Sequence, residues 1–332
     1  MYETIVSGSL RTSLTWILLL SLILIGSAID AAAQEMPNRV RMMLPRSREA
    51  SSRPSQLIQS SQSVPTWSLP DPFVTDPDLA TARFGHSAVY DPGSNTMIVF
   101  GGFDGNSILQ SDVLLDSNAN GSAGVFVGTW SELNLSYPIP PQRAFHSAVY
   151  DQTNNRMIVF GGCADIYCFL PLNDTWVLTN ANGSGGTPAW TQLSPTGTPP
   201  SPRYDHDAVY DATNNRMIVY SGEGAGFVGL SDVWVLSNAN GLGGTPAWTE
   251  LSPTSGPPDA IDGSTGVYDP TTNRMIVFGG YPFVNSVWTL SNANGLGGTP
   301  AQFGLAQQPL DLCLGAESLL SMAMSKVIPS TC

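Results

Sequence analysis

The feature that most constrains the fold of this chain is an internal repeat with a period of about 60 residues. One motif reads HSAVYD at 86–91 and 146–151, HDAVYD at 206–211 and STGVYD at 264–269. A repeat of this length is a supersecondary unit that cannot bury its apolar faces alone and therefore stacks against its copies. The sequence thus predicts one array of four similar units.

Each unit contains four segments with the pattern of β-strands. The first ends in Val-Tyr-Asp or its equivalent, and a polar turn connects it to MIVFGG at 97–102, 157–162 and 275–280 or MIVYSG at 217–222. The third segment, for example NDTWVL at 173–178, carries alternating apolar residues, as a half-buried strand does, and ends at an Asn-Ala-Asn-Gly turn. The fourth carries Trp130, Trp190 or Trp248. Four antiparallel strands per unit predict an all-β protein.

These units resemble the repeats of the kelch family, in which an apolar strand, a Gly-Gly pair, a Trp-bearing strand and an outer Trp follow one another. The resemblance implies a kelch-type β-propeller with four four-stranded blades, at about 83–133, 143–193, 203–251 and 261–304 within residues 65–304. The glycine pairs are Gly101 and Gly102, Gly161 and Gly162, and Gly279 and Gly280. Four blades are few for a propeller, so a small ring, an open arc and a truncated larger propeller all remain open.

The segment 65–69, which contains Trp67, reads as a fourth strand with no blade before it. The last unit has Ala301-Gln302-Phe303 where the preceding units have Ala-Trp-Thr. We therefore expect the segment 65–69 to supply the outer strand of the last blade. The tail at 305–332 fits no repeat.

Residues 1–33 read as a signal peptide, with Arg11 before a short apolar run and Ala31-x-Ala33 as a cleavage site. An uncleaved N-terminal anchor is the alternative and would be the protein's only contact with a membrane. A linker at 34–64 follows. We expect a secreted, periplasmic or cell-envelope protein of the bacterial type.

Charge and cysteine content narrow the partners. The formal net charge is −13 with only 13 Lys and Arg, which argues against nucleic acid because phosphate binding requires clustered basic residues. Export permits disulfides, and Cys163 and Cys168 are close enough in sequence to close a small loop. Cys313 and Cys332 either pair or stay free.

All three histidines occupy one repeat position, three residues after an arginine: Arg83 and His86, Arg143 and His146, Arg203 and His206. We interpret this motif as structural, capping the innermost strand and forming hydrogen bonds between blades. A metal site at the channel is the alternative, although the last unit has Ile261 and Ser264 instead. Asp112, Asp174 and Asp232 are interpreted as turn or strand-edge groups.

The kelch resemblance also raises the possibility of an enzyme, because the fold includes the copper-dependent galactose oxidase. The ligand set of that enzyme, two Tyr, two His and a Tyr–Cys cross-link, cannot be placed on this sequence. The segment 116–121 resembles the start of an EF-hand, but Val127 stands where the loop requires Glu, so we interpret it as a turn. We predict no catalytic residues, no metal and no cofactor.

The loops after the second strand differ between units, and variable loops on a rigid scaffold commonly carry recognition. Their aromatic residues are the candidate binding residues: Phe103, Tyr167, Phe169, Phe227, Tyr281 and Phe283. The repeated tryptophans, Trp67, Trp130, Trp190 and Trp248, are expected to pack between blades. The leading hypothesis is a non-catalytic extracytoplasmic scaffold that binds protein or glycan. The alternatives are a carbohydrate-active or copper-oxidase-like enzyme and a structural envelope component.

Overall fold

The structure is a computed structural model that describes residues 81–121, 129–255, 260–281 and 286–305. All regular secondary structure in these ranges is β-strand, and they contain no helix that could span a membrane. Other predictions lie outside the described residues: the signal segment at 1–33, the linker at 34–64, the strand at 65–69 with Trp67, Phe283, and the tail from 306 onward with Cys313 and Cys332.

Twenty strands build four blades. Blade one contains β1 (Arg83–Phe84), β2 (Ser87–Asp91), β3 (Thr96–Phe100), β4 (Phe103–Asp104), β5 (Val113–Ser117) and β6 (Thr129–Glu132). Blade two contains β7 (Ser147–Asp151), β8 (Arg156–Phe160), β9 (Thr175–Thr179) and β10 (Ala189–Gln192). Blade three contains β11 (Asp207–Asp211), β12 (Arg216–Tyr220), β13 (Glu223–Gly224), β14 (Val228–Gly229), β15 (Val233–Ser237) and β16 (Ala247–Leu251). Blade four contains β17 (Thr265–Asp269), β18 (Arg274–Phe278), β19 (Val287–Ser291) and β20 (Ala301–Leu305).

Each blade is a four-stranded antiparallel sheet whose strands follow chain order from the innermost to the outermost, with β1–β4 and β13–β14 as additional short pairs. The inner hairpin has the same register in every copy, with Tyr90 opposite Met97 and Tyr150 opposite Met157. Its turn places Asn95 and its equivalents at φ near +50°, a left-handed conformation that Asn tolerates well. The four sheets are arranged as the blades of a β-propeller, which confirms the predicted fold class.

The outer strand of blade four corrects one prediction. Strand β19 pairs with β18 on one side and with β20 on the other, so the position we expected 65–69 to fill is occupied by Ala301–Leu305. Gln302 lies opposite Leu290, as Trp190 lies opposite Leu178 in blade two. Ladder pairing depends on main-chain hydrogen bonds, so the strand forms although the Trp is absent.

Apolar cores lie between consecutive blades. The Phe100 ring of blade one lies 5.0 Å from the Trp190 ring of blade two, and Phe160 lies 4.9 Å from Trp248 of blade three. Trp190 and Trp248 are buried, in agreement with the packing role predicted for the repeated tryptophans, whereas Trp130 of blade one is half-buried.

Blade four leaves one such face open. Val267 and Phe278 of blade four are 57% and 55% exposed, whereas Val209 and Phe160 at the same repeat positions are 7% and 0% exposed. We call the face of blade four that carries these two residues the trailing face. The opposite face of blade one differs, because Val99 and Leu114 on it are only 4% and 2% exposed. Strand β2 packs on β7, β7 on β11 and β11 on β17, and among the described residues no comparable packing joins β17 to β2.

Candidate binding surface

The repeated arginines cross-link the strands within blades one, two and three. Arg143 is fully buried, and its two terminal nitrogens each donate to a carboxylate oxygen of Asp174 at 2.8 Å. Nη1 of Arg143 also donates to the carbonyl oxygen of Gly161 at 2.9 Å. Burial acts to raise the pKa of Asp174, but the hydrogen bonds and charge of Arg143 lower it below its ordinary value. Two further blades repeat the arrangement. In blade one Arg83 donates to the Asp112 carboxylate and to the carbonyl of Gly101. In blade three Arg203 donates to the Asp232 carboxylate and to the carbonyl of Ser221.

The role of these aspartates was missed by the sequence interpretation, which placed them at turns or strand edges. Each lies about 30 residues after its arginine, too far for a local motif to reveal the pair. A comparison of the four copies could have revealed the pair, because blade four has Ile261 in place of the arginine and Ser286 in place of the aspartate. The two positions therefore change together within one chain.

The repeated histidines connect neighbouring blades, as the structural interpretation predicts. Nε2 of His146 lies 2.7 Å from Ser87 Oγ of blade one, and Nε2 of His206 lies 2.8 Å from Ser147 Oγ of blade two. Burial, followed by the charge of Arg203, lowers the pKa of His206 to about 3. Both imidazoles are therefore structural groups that stay neutral at neutral pH.

We expect His206 to make the protein less stable in mild acid. The unfolded chain protonates this residue below its ordinary pKa of 6.5, whereas the folded chain does not do so until about pH 3, so stability falls as pH drops between these values. The loss between pH 7 and pH 5 is about 2 kcal/mol, from 1.36 kcal/mol per pH unit. Urea unfolding at both pH values measures it. The His206→Gln variant should lose about 2 kcal/mol less over this interval, and an unchanged loss would contradict the assignment.

The innermost strands begin around an open depression of about 170 Å³. Its lining includes the repeat position itself in every blade: His86, His146, His206 and Ser264. The part of the chain that the structure describes contains no group of three or more His, Cys, Asp or Glu placed to hold a metal ion. The proximity of the three histidine positions thus follows from the stacking of the repeats.

The loop after β8 is the most tightly organised of the variable loops. A disulfide joins Cys163 and Cys168, whose Cα atoms are 5.0 Å apart, and this is the pair expected from the sequence. The Asp165 carboxylate accepts hydrogen bonds from the backbone N–H groups of Tyr167, Phe169 and Leu170 at 2.6–3.2 Å. A single carboxylate and one disulfide therefore fix the loop in the conformation that presents its side chains.

This loop and the neighbouring loop of blade three together form an exposed apolar patch. We call it the loop patch and define it by six residues: Ile166, Tyr167, Phe169, Leu170, Phe227 and Val228. Phe169 is 55% exposed, and its ring centroid lies 5.7 Å from that of Tyr167 and 5.6 Å from that of Phe227. Phe227 is half-buried against a cluster that contains the disulfide and Tyr204. The patch is thus anchored to the folded core.

The remaining predicted loop residues are not brought into this patch. Phe103 is only 2% exposed and packs with Phe84 and Phe145, so its burial corrects the expectation that it contributes to a binding surface. Tyr281 is exposed but lies in blade four, outside the patch. The patch gains Ile166, Leu170 and Val228, which the sequence interpretation omitted because it considered only aromatic residues.

Comparison with known proteins agrees with this architecture. The family model of the KLHDC2/KLHL20/DRC7 Kelch-repeats domain matches residues 51–185 and 184–296. The chain belongs to the kelch-repeat family. Its repeats are thus kelch repeats by sequence and by strand arrangement, and the kelch-repeat fold is consistent with a protein-binding scaffold.

The kelch relatives are longer proteins of several kinds. Adagio-like protein 3 of Oryza sativa subsp. japonica is 32% identical over 221 residues, which are 64% of this chain and 32% of that protein. An F-box/kelch-repeat protein of Arabidopsis thaliana is 28% identical over 55% of this chain and 35% of its own length. A xyloglucanase of Paenibacillus sp is 26% identical over 59% of this chain and 18% of the enzyme. The chain spans about a third of the length of the first two relatives.

Among solved structures, that of YjhT matches with a TM-score of 0.44 and 16% sequence identity, covering 60% of this chain and 59% of the other.

Proposed function

We propose that this kelch propeller is a non-catalytic scaffold that binds a partner protein through the loop patch. The observation that supports the proposal is the exposure of large apolar side chains there: Phe169 and Leu170 are 55% and 61% exposed, and Ile166 and Val228 are 50% and 59% exposed. Contiguous apolar surface on a soluble domain commonly marks a site of protein association. The loop that presents it is held rigid, which reduces the entropy lost on binding.

The chemistry of the patch favours a protein over a glycan. Sugars bind on flat aromatic faces flanked by polar groups, whereas half of the patch consists of aliphatic side chains. The edge-on contact of Phe169 with Phe227 also covers part of the aromatic surface. An apolar segment of a partner, inserting side chains between these residues, fits the arrangement better.

We propose that the protein acts outside the cytoplasm. The signal-peptide pattern at 1–33 supports this, and so does the disulfide between Cys163 and Cys168, because disulfides persist in oxidising compartments. The net charge of −13 argues against a nucleic acid as the partner, because phosphate binding requires clustered basic residues.

Site-specific photo-crosslinking tests the proposal. The full chain carries a benzophenone amino acid at position 169 in one preparation and at position 108 in another. Ile108 is a matched control because it is 55% exposed, as Phe169 is, and lies in the loop of blade one that corresponds to the loop carrying Phe169. Each preparation is incubated with the extracellular and envelope fractions of the source cells and then irradiated. We expect the preparation labelled at position 169 to crosslink one protein that the preparation labelled at position 108 does not.

The partner identified in this way then gives a quantitative test. The Phe169→Ala and Leu170→Ala variants should each weaken its binding about 30-fold, the effect of losing a contact worth about 2 kcal/mol, and Ile108→Ala should leave binding unchanged. Crosslinking at neither position, or binding of a xyloglucan oligosaccharide at the patch, would contradict protein recognition.

A further inference from the structure

The segment that follows the outer strand of blade one contains the acceptor pattern for N-linked glycosylation. It reads Asn134-Leu135-Ser136, an Asn followed by a residue other than Pro and then by Ser or Thr. Glu132 stands two positions before the Asn, where the bacterial enzymes that glycosylate exported proteins select an acidic residue. Such a pattern is used only where the Asn amide is accessible on a surface loop.

Blade one departs from the internal repeat at this segment. In blades two and three the equivalent positions read Ser194-Pro195-Thr196 and Ser252-Pro253-Thr254. A Pro in the middle position would prevent glycosylation even if an Asn preceded it. Blade one therefore has both changes that an acceptor requires, an Asn in the first position and another residue in place of the Pro.

The main chain of this segment is also less constrained in blade one than in the other blades. The N–H of Thr196 donates to the carbonyl of Pro246 at 2.9 Å and so ties the segment of blade two to the next blade, and Thr254 makes the equivalent contact in blade three. In the described part of the chain Ser136 forms no such bond, and no main-chain hydrogen bond involves residues 134–142. An enzyme can therefore bend this loop without breaking backbone hydrogen bonds.

The side chain of Asn134 is accessible. It is exposed, and it has no hydrogen-bond partner among the described residues. It borders an open hollow of about 510 Å³, which Leu135 and Ile139 also line. These two half-buried side chains pack on the core between blades one and two. The loop is thus held on the fold by its apolar residues, while the Asn134 amide lies beside space that can receive a sugar.

Three other Asn residues begin the same pattern: Asn120, Asn173 and Asn182. Each uses its side-chain amide within the fold: Asn120 accepts a hydrogen bond from Asn95, Asn173 donates to the carbonyl of Pro200, and Asn182 donates to Asp91. Attachment of a sugar would displace these contacts. Among the described residues, Asn134 is therefore the acceptor that can be modified without cost to the fold.

We propose that Asn134 is a site of N-linked glycosylation. The donor is an oligosaccharide bound to a lipid diphosphate, and an oligosaccharyltransferase of the exporting cell catalyses the transfer. The Asn134 amide nitrogen loses one proton and forms a bond to the anomeric carbon of the first sugar. The bond from that carbon to the diphosphate oxygen breaks, and the lipid diphosphate leaves with the electron pair. The inference rests on the export proposed above, because this transfer takes place outside the cytoplasm.

Glycopeptide mass spectrometry of the full chain purified from the source cells tests the site with four variants. The wild type should carry one oligosaccharide, on the peptide that contains Asn134. Asn134→Gln and Ser136→Ala should both lose it, whereas Ser136→Thr preserves the pattern and should retain it. Asn106→Gln is the matched control and should also retain it, because Asn106 is exposed in another loop of blade one but has Ile108 two positions later.

Fractionation of the same cells separates this inference from the proposed location. Protein found outside the cytoplasm with an unmodified Asn134 overturns the glycosylation site and leaves the export intact. Protein retained in the cytoplasm overturns the export and the modification together. An oligosaccharide that persists in Ser136→Ala, or that is attached to another Asn instead, overturns the assignment to this acceptor pattern.

Discussion

Replacing Arg203 with Ile is expected to destabilise the protein by about 3 kcal/mol, the lower end of the cost of leaving one partner of a buried ion pair uncompensated. Arg203 is fully buried, and both of its terminal nitrogens donate to Asp232 at 2.7 Å. Its removal leaves the partly buried Asp232 carboxylate with Trp234 Nε1 as its remaining side-chain donor. Urea unfolding at pH 7 measures the loss.

The chain supplies the compensating variant for this experiment. Blade four has Ile261 and Ser286 at the two positions, and the Ser286 hydroxyl accepts the hydrogen bond from Trp288 Nε1 at 3.2 Å. The double variant Arg203→Ile with Asp232→Ser should therefore recover most of the lost stability, because no charge is left unpaired. A double variant less stable than Arg203→Ile alone would contradict the pairing described for the blades.

Replacing Phe160 with Ala is expected to cost about 3–5 kcal/mol, whereas the same change at Phe278 should cost less than about 1 kcal/mol. The two residues hold the same repeat position, but Phe160 is packed between Trp248 and His206, and Phe278 is exposed. Truncating Phe160 removes its contacts with both of these rings and leaves a cavity.

The comparison is made by urea unfolding at concentrations where the chain sediments as a single copy. Under these conditions the ratio of the two losses in unfolding free energy reports how much of each phenylalanine side chain is buried within one chain. Equal losses would show that Phe278 is covered in the single copy, which would contradict the open trailing face.

The strands of this protein could be predicted because their signals are local and occur four times. The Asp and Asn of each inner hairpin, such as Asp91 and Asn95, identify the turn in every copy, and the tryptophans identify the outer strand. Blade four shows the limit of that reasoning, because β20 lacks the Trp. Its pairing depends on the main chain, which a pattern of side chains does not display.

Exposure and long-range pairing could not be predicted. Phe103 and Phe169 both follow a second strand, yet one is buried beneath Phe84 and the other is exposed. The difference arises from loop geometry, since Phe103 itself lies in β4 and pairs with β1, whereas Phe169 lies beyond the disulfide in a loop fixed by Asp165. The Arg203 and Asp232 pair was likewise hidden by its separation in sequence.

The most direct test of the proposed function is the affinity of the full chain for the protein captured at position 169, measured beside that of the Phe169→Ala, Leu170→Ala double variant. Protein recognition by the loop patch predicts that the double variant binds at least 30-fold more weakly, while Ile108→Ala binds as the wild type does. Equal affinity of the wild type and the double variant would show that the patch does not bind the partner, and would contradict the account.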